Sequence, residues 1–126
     1  MNKILKGSKG FTLLEVLIAL TILSIGLLGM AQMQIIAIRS NSYAFRFSEA
    51  SAIVQDKLEE LKSLDYLNAT DLDAASSPHT ETEGLFTKTW TVVDNQPTNN
   101  MKTVNIEVSW DNSRHKVTLS TTIARR

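Results

Sequence analysis

The sequence contains no cysteine, no net charge and only two prolines. The absence of cysteine excludes a disulfide framework, cysteine-ligated zinc and cysteine nucleophiles, although it does not identify a compartment. A formal charge of zero supplies no overall basic field, so no nucleic-acid partner is evident. Proline first occurs at Pro78, which leaves the N-terminal part without this helix breaker. The 126 residues suffice for one small domain with an extension.

The N-terminal segment combines a basic leader with a long apolar run. Residues 1–10 hold no acidic residue and three lysines, Lys3, Lys6 and Lys9. From Phe11 to Ala31 the chain is apolar except for one acid. As a helix this run would be about 31 Å long, close to the hydrocarbon thickness of a bilayer. The positive-inside rule places the leader in the cytoplasm and exports the rest of the chain.

Glu15 is the single charge within the apolar run. An unpaired carboxylate at the centre of a membrane span costs roughly 2.5–3.5 kcal/mol. A cleaved secretory signal peptide would have a shorter apolar core, of about 7–15 residues. A plain membrane anchor leaves the acid unexplained, unless Glu15 simply snorkels to the interface one turn away. A third interpretation comes from the residues around Glu15.

The stretch Lys9-Gly10-Phe11-Thr12-Leu13-Leu14-Glu15-Val16-Leu17-Ile18-Ala19 resembles the class III signal of type IV pilins and type II secretion pseudopilins. This resemblance implies that a prepilin peptidase cuts between Gly10 and Phe11 on the cytoplasmic side. The same enzyme would then methylate the new amino group of Phe11. Glu15 would become the fifth mature residue and pair with the N-terminal amine of an adjacent subunit. Glycine fits such a cleavage site because it places no side chain beside the scissile bond.

A second resemblance follows in Ile25-Gly26-Leu27-Leu28-Gly29-Met30-Ala31-Gln32-Met33-Gln34, which is similar to PilV-type minor pilins. Gly26 and Gly29 are three apart, so they do not form a GxxxG motif. Each glycine costs a helix about 1 kcal/mol relative to alanine. With no proline nearby, any local bend in this part of the helix would come from these two residues.

The apolar pattern then changes to that of an amphipathic helix. Apolar residues recur at spacings of three, four and seven, and this set is Ile36, Tyr43, Phe47, Ala50, Val54, Leu58, Leu61 and Leu64. Most charged residues, Lys57 among them, are expected on the other faces. A helix from Phe11 to Leu64 would be about 80 Å long. Tyr43, Phe45 and Phe47 are interpreted as core packing against a sheet rather than as a ligand site.

The C-terminal half predicts an antiparallel sheet. Residues 68–84 are polar and are expected to connect the helix to the sheet. Period-two alternation predicts three strands, at residues 86–93, 103–110 and 116–123, the last two forming a hairpin. The fold class expected is α+β and pilin-like, with a three- to four-stranded sheet packed on the second half of the helix. Four segments result: a leader at 1–10, a transmembrane assembly half at 11–31, an exported half-helix at 32–67, and a loop and sheet at 68–126.

No catalytic site, metal site or cofactor is predicted. His79 and His115 lie in different elements, which is a weak metal signal. The serines and threonines have no recognisable base arrangement, and no phosphate loop or HExxH motif is present.

The sequence therefore predicts a structural protein rather than an enzyme. It is interpreted as a minor pilin that is processed by the prepilin peptidase and joins other major and minor pilins in a type IV pilus, or primes its assembly. It would wait in the inner membrane as a single-pass protein with its C-terminal domain in the periplasm, and then reach the pilus. Two alternatives remain: an I-type minor pseudopilin of a type II secretion system, and a membrane-anchored periplasmic binding module.

Overall fold

The computed structural model describes residues 10 and 12–125. Its elements in chain order are α1 (Leu13–Ser63), a 3₁₀ turn (Thr70–Leu72), β1 (His79–Glu83), β2 (Phe86–Asp94), β3 (Met101–Trp110) and β4 (His115–Ala124). The chain divides into two units, residues 1–41 and 42–126, and α1 contributes to both. The predicted α+β class, a long apolar N-terminal helix with an antiparallel sheet, is confirmed.

The first part of α1 is an uninterrupted helix of good helix formers. Leu, Ile and Ala dominate it, and these residues have favourable or tolerable helix propensities. The helix continues through Gly26 and Gly29, where the sequence allowed a bend. Apart from the adjacent residues and the nearby backbone of α1 itself, a Cβ atom built at either glycine would meet no described atom within 4 Å. The two glycines therefore do not serve a close contact among the described residues.

The helix ends at Ser63, one residue before the end at Leu64 that the apolar spacing predicted, and short of the segment limit at residue 67. Asp65 provides the physical reason. Its Oδ1 accepts a hydrogen bond from the backbone N–H of Leu67 at 3.0 Å, and its Oδ2 accepts one from Asn68 Nδ2 at 2.8 Å. Such local side-chain bonds offer the backbone an alternative to the helical ladder. They also hold the pKa of the Asp65 carboxyl below its usual value.

The core forms between the second part of α1 and one face of the sheet. The buried apolar residues from α1 are Ala50, Val54, Leu58 and Leu61, and the fully buried ones from β3 are Val104, Ile106 and Val108. Leu72 of the 3₁₀ turn joins this cluster. The predicted contact between an amphipathic helix face and a sheet is confirmed from Ala50 onward.

The N-terminal part of the predicted apolar helix face, from Ile36 to Phe47, is not in the core. Phe45 is 71% exposed, Tyr43 45% and Phe47 44%, so the interpretation of these three aromatic residues as core packing is wrong. Tyr43 reaches only the margin, with its ring 6.1 Å from that of Trp110 and 4.9 Å from that of His115. Burial starts at Ala50, and the helical pattern N-terminal to it extends past the part of α1 that the sheet covers.

The sheet has the order β1-β2-β3-β4, with every neighbouring pair antiparallel. The predicted alternation is confirmed in β2, whose buried residues are Phe86, Lys88, Trp90 and Val92. The predicted hairpin of the last two strands is also confirmed, since Trp110 pairs with His115 across a short turn. Three residues of this turn, Asp111, Asn112 and Ser113, have positive φ.

One strand lies in the segment that was expected to be a connection. β1 pairs with β2 from His79, opposite Trp90, to Glu83, opposite Phe86. Its sequence, His-Thr-Glu-Thr-Glu, has no apolar residue, so it carries no alternating hydrophobic signal. The signal that could have found it is Gly84, which has φ +59° at the first position of a two-residue turn. Glycine there is typical of a type II′ hairpin.

A cluster of charged side chains joins α1 to β1 and β2. Lys57, expected on an exposed face, is only 4% exposed, and its Nζ lies 4.3 Å from the centroid of the Trp90 ring. That Nζ is 3.2 Å from Glu60 and 3.4 Å from Glu81. Lys88 Nζ is 3.3 Å from Glu81 and 3.0 Å from Glu83. These partners explain how two lysines remain in a mostly apolar core.

The pKa values in this cluster follow from two opposing effects. Desolvation works against the charged form of Glu81 and would raise its pKa, but Lys88 and Lys57 outweigh it and hold the pKa below its usual 4.5. Desolvation would lower the pKa of Lys88, but hydrogen bonds from its ammonium to Glu83 and Glu81 outweigh that effect and raise it. The ion pairs therefore keep both groups charged.

A third buried lysine attaches the 3₁₀ turn to the sheet. Lys102 Nζ donates to the carbonyl of Leu72 at 2.9 Å and to Asp94 Oδ1 at 2.7 Å. Trp90 Nε1 donates to the carbonyl of Asp71 at 2.9 Å. The 3₁₀ turn is thus fixed to β2 and β3 by hydrogen bonds from the buried side chains of Trp90 and Lys102.

Leu61→Ala should lower the free energy of unfolding by about 2–5 kcal/mol, because it leaves a cavity at a fully buried site. Denaturant titration followed by tryptophan fluorescence measures this, since Trp90 and Trp110 are both buried. Leu85→Ala is the control: this side chain is exposed in the turn, so the change should be within about 0.5 kcal/mol. Equal losses in the two variants would contradict the core described above.

Glu81→Gln should reduce stability at about pH 6 and flatten its acid dependence. Because the folded pKa of Glu81 is depressed, its contribution is complete above 4.5 and is lost as pH falls through the folded value. Glu81 is 49% exposed, so screening limits the effect to under about 1 kcal/mol.

The same denaturant titration at several pH values checks this expectation. Glu59→Gln is the matched control, since Glu59 makes no ion pair within residues 12–125. Stability of Glu81→Gln that falls with acid as steeply as that of the wild type would show that the Lys57–Glu81–Lys88 cluster does not contribute.

Candidate functional site

The start of α1 is organised by Thr12. Its Oγ1 accepts a hydrogen bond from the backbone N–H of Glu15 at 3.2 Å, and its carbonyl accepts one from the N–H of Val16 at 3.2 Å. Thr12 is therefore the N-cap of the helix, and Glu15 occupies the third helical position. The sequence reasoning missed this role for Thr12. The pattern Thr-x-x-Glu before an apolar run, which is that of a capping box, could have found it.

Glu15 lies in the first turn of α1, and its side chain is exposed. The positive end of the helix macrodipole favours a carboxylate there by about 0.3–1 kcal/mol. The penalty for an unpaired acid in a membrane span is larger, roughly 2.5–3.5 kcal/mol. No ion pair joins Glu15 to another of the described residues. The helix dipole alone therefore offsets only part of the free-energy cost of placing the Glu15 carboxylate in hydrocarbon.

Gly10 is exposed and lies outside the helix, which begins at Leu13. A Cβ atom built at Gly10 would meet no atom of residues 12–125 within 4 Å, and the φ of Gly10 is not in the left-handed region. Nothing in the described part of this chain therefore requires glycine at this position. A requirement for glycine there would come from a molecule that binds the segment. Phe11 and the leader lysines Lys3, Lys6 and Lys9 lie outside the described residues.

The helix that follows this site has the length and composition needed to cross a membrane. The apolar side chains between Leu13 and Ile38 are exposed, with none buried in the structure. Exposed apolar surface on this scale marks a region that contacts a membrane or other protein. The structure thus brings together an exposed glycine outside the helix, a capped helix start, a carboxylate in the first turn and an exposed apolar helix.

The two histidines lie in the second unit and pack on aromatic rings. His79 stacks on Trp90 with ring centroids 5.4 Å apart, and its Nε2 is 3.0 Å from the carbonyl oxygen of Asp73. His115 packs edge-on against Tyr43. Within the part of the chain that the structure describes, no group of three or more His, Cys, Asp or Glu side chains is arranged to hold a metal ion.

The family model for the prokaryotic N-terminal methylation motif matches residues 5–31. This range includes Gly10, the capping pair Thr12 and Glu15, and the glycines Gly26 and Gly29. No curated protein and no solved structure matches the chain. The motif match, together with the long apolar helix and the four-stranded antiparallel sheet, supports a type IV pilin-like protein of the pilin and pseudopilin group.

Proposed function

We propose that this chain is a structural minor pilin, most similar to the PilV type, that a prepilin peptidase processes before it enters a type IV pilus or primes pilus assembly. The observation that carries the proposal is the motif match at residues 5–31, which coincides with a helix start that holds Glu15 in its first turn. Proteins that carry this motif are structural subunits, which favours a non-enzymatic role.

Processing is proposed to cut between Gly10 and Phe11 and to methylate the new amino group of Phe11. Three observations support this position: Gly10 is exposed, lies outside α1 and has open space around its Cα. A peptidase needs access to an extended backbone, which a helical segment does not offer. The cut leaves the apolar helix in the protein, so the mature chain keeps its membrane segment.

Glu15 is proposed to pair with the Phe11 amine of an adjacent subunit. The new amine is a cation, and α1 places the carboxylate at the start of an exposed apolar surface. Pairing would remove the part of the desolvation cost that the helix dipole leaves uncompensated. Apolar helices could then pack side by side in a filament with their charges matched.

The proposed segments have separate tasks. Residues 1–10 are the leader, which Lys3, Lys6 and Lys9 keep on the cytoplasmic side. Residues 11–31 hold the subunit in the inner membrane and later pack in the filament. Residues 32–67 and 68–126 form the exported half-helix and the loop with the sheet. Their surface, in the periplasm and then on the pilus, would select the neighbouring major and minor pilins.

The alternative within the same group is the I-type minor pseudopilin of a type II secretion system. Both share the leader and the long helix, and the motif match covers only these features. Gene neighbours separate them: other minor pilin genes support the pilus assignment, and genes for secretion components support the pseudopilus. A membrane-anchored binding module is the less favoured alternative, because no such role is implied by the motif.

Replacing Gly10 with valine should leave an unprocessed precursor, because the side chain obstructs the peptidase and contacts none of the residues 12–125. Intact-mass analysis of the wild type should give a chain that begins at Phe11 with one added methyl group. The control is Gly7→Val, which adds the same side chain within the leader and should be processed normally. A shortened Gly10→Val product, or a wild-type mass without the methyl group, would contradict the proposed processing.

Glu15→Ala and Glu15→Gln should both be exported and cut but should enter filaments about tenfold less than the wild type, since each leaves the amine unpaired. The ratio of subunit in sheared filaments to subunit in membranes measures this. Glutamine keeps the capping box but removes the charge. Glu15→Gln therefore separates the role of Glu15 in capping its own helix from its role in pairing with a neighbouring subunit. Normal incorporation of Glu15→Gln would show that Glu15 acts on its own helix and not on a neighbouring subunit.

A further inference from the structure

Exposed aromatic residues surround α1 where its apolar N-terminal part has ended. Tyr43 and Phe47 are each almost half exposed, and Phe45 is mostly exposed. Tyr43 and Phe47 lie on one face of the helix, four residues apart, with ring centroids separated by 6.2 Å. Phe45 points roughly 200° around the helix from Tyr43. A groove in a protein partner takes up one face of a helix, whereas this aromatic belt faces its surroundings in several directions.

One end of the sheet lies at the level of the aromatic belt. The ring of Tyr43 is 6.1 Å from that of Trp110 and 4.9 Å from that of His115, on either side of the β3–β4 turn. The β1–β2 turn reaches the same end, because Phe86, which follows it, packs on Trp110 with ring centroids 6.0 Å apart. Leu85 in this turn is 67% exposed. This end of the sheet therefore adds apolar surface beside the belt.

The length of α1 places the belt near the surface of a bilayer that its apolar part crosses. Exposed apolar side chains continue past the predicted span to Ile38, and the next residue, Arg39, is charged. From Leu13, a bilayer of about 40–45 Å including its headgroups takes about 27–30 helical residues, which reaches roughly residues 39–42. Tyr43 follows directly. Aromatic side chains are enriched at this depth, because apolar rings are favoured where lipid meets water.

The charges beside the β3–β4 turn compensate each other. Arg114 lies 3.9 Å from Asp111, and Lys116 Nζ lies 3.1 Å from Glu107. These two pairs supply no excess of basic groups for anionic lipid headgroups. Attraction of this end to lipid therefore comes from its apolar and aromatic surface, and salt does not screen it.

We propose that this end of the second unit docks on the phospholipid surface of the membrane. The side chains that enter the lipid interface are Tyr43, Phe45, Phe47 and Leu85. Docking removes from water apolar surface that is exposed in the chain by itself. It holds the second unit at the membrane for as long as the subunit stays there. The proposal goes beyond the proposed function and rests on it in one respect, since the apolar part of α1 must be inserted in the bilayer.

Fluorescence quenching in the full-length protein tests the proposal. The chain has no native cysteine, so one introduced cysteine carries one environment-sensitive label. Leu85→Cys reports on the proposed contact. Leu67→Cys is the matched control, because Leu67 is 63% exposed and lies beside residues 122–125, at the other end of β4 from the belt. Ile25→Cys, in the apolar part of α1, verifies that the helix is inserted.

Each labelled protein is placed in vesicles of phosphatidylethanolamine and phosphatidylglycerol that contain a nitroxide-labelled phospholipid. A nitroxide on the headgroup should quench the label at position 85 at least about threefold more than at position 67, because the ten residues of β4 separate the two ends by about 33 Å. A nitroxide in the acyl chains should quench the label at position 25. Added to Leu85→Cys, Phe45→Ser should roughly halve the quenching, whereas Leu67→Ser should leave it unchanged. Tryptophan fluorescence verifies that each variant is folded.

The three label positions separate this proposal from the proposed function. Quenching at position 25 with none at position 85 would overturn the docking and leave the proposed function standing. Equal quenching at positions 67 and 85 would also overturn it, as would a blue-shifted label at position 85 without lipid quenching, which would show that protein covers this surface. Quenching at position 85 that disappears in vesicles of uncharged phosphatidylcholine would overturn a contact made by apolar side chains. Absence of quenching at position 25 would overturn the proposed membrane segment and the docking with it.

Discussion

The contact between the buried face of α1 and the inner face of the sheet is the constraint on which the second unit depends. A four-stranded sheet of this size has too little apolar surface to form a core with itself. Ala50, Val54 and Leu61 supply the missing surface, and Val104, Ile106 and Val108 pack there with almost no exposure. The other features of the unit, including the buried lysines and the 3₁₀ turn, are arranged around this contact.

The N-terminal part of the same helix differs in that it has no buried face. There the apolar residues are exposed all round, as in a segment that crosses a membrane, and they show no single buried face. From Ala50 onward, burial is confined to one face. Thr12 caps the helix start, and Glu15 adds a carboxylate where the helix dipole favours it. α1 thus combines an apolar segment of membrane-spanning length with one wall of a folded domain.

Much of the fold follows from local sequence signals. The alternation in β2, β3 and β4 predicts the strands, and it also predicts the buried faces of β2 and β3, whereas β4 buries only Ile123. The spacing of Ala50, Val54, Leu58 and Leu61 predicts the helix face. β1 could not be found this way, because its stability comes from pairing with β2 and from the charges of Lys57 and Lys88 rather than from apolar residues. Tyr43, Phe45 and Phe47 were wrongly assigned to the core, because periodicity does not show where a sheet stops covering a helix.

The sequence by itself determined the prepilin-type motif at the N-terminus, the membrane-length apolar run and the α+β class, because these depend on residue type and spacing along the chain. Only the tertiary structure decided that Lys57 and Lys102 are buried, that Leu72 belongs to the core and that four strands leave β1 and β4 as opposite edges. Those features arise where distant segments meet. Their energy comes from apolar packing, ion pairs and hydrogen bonds between residues far apart in sequence, which no local pattern encodes.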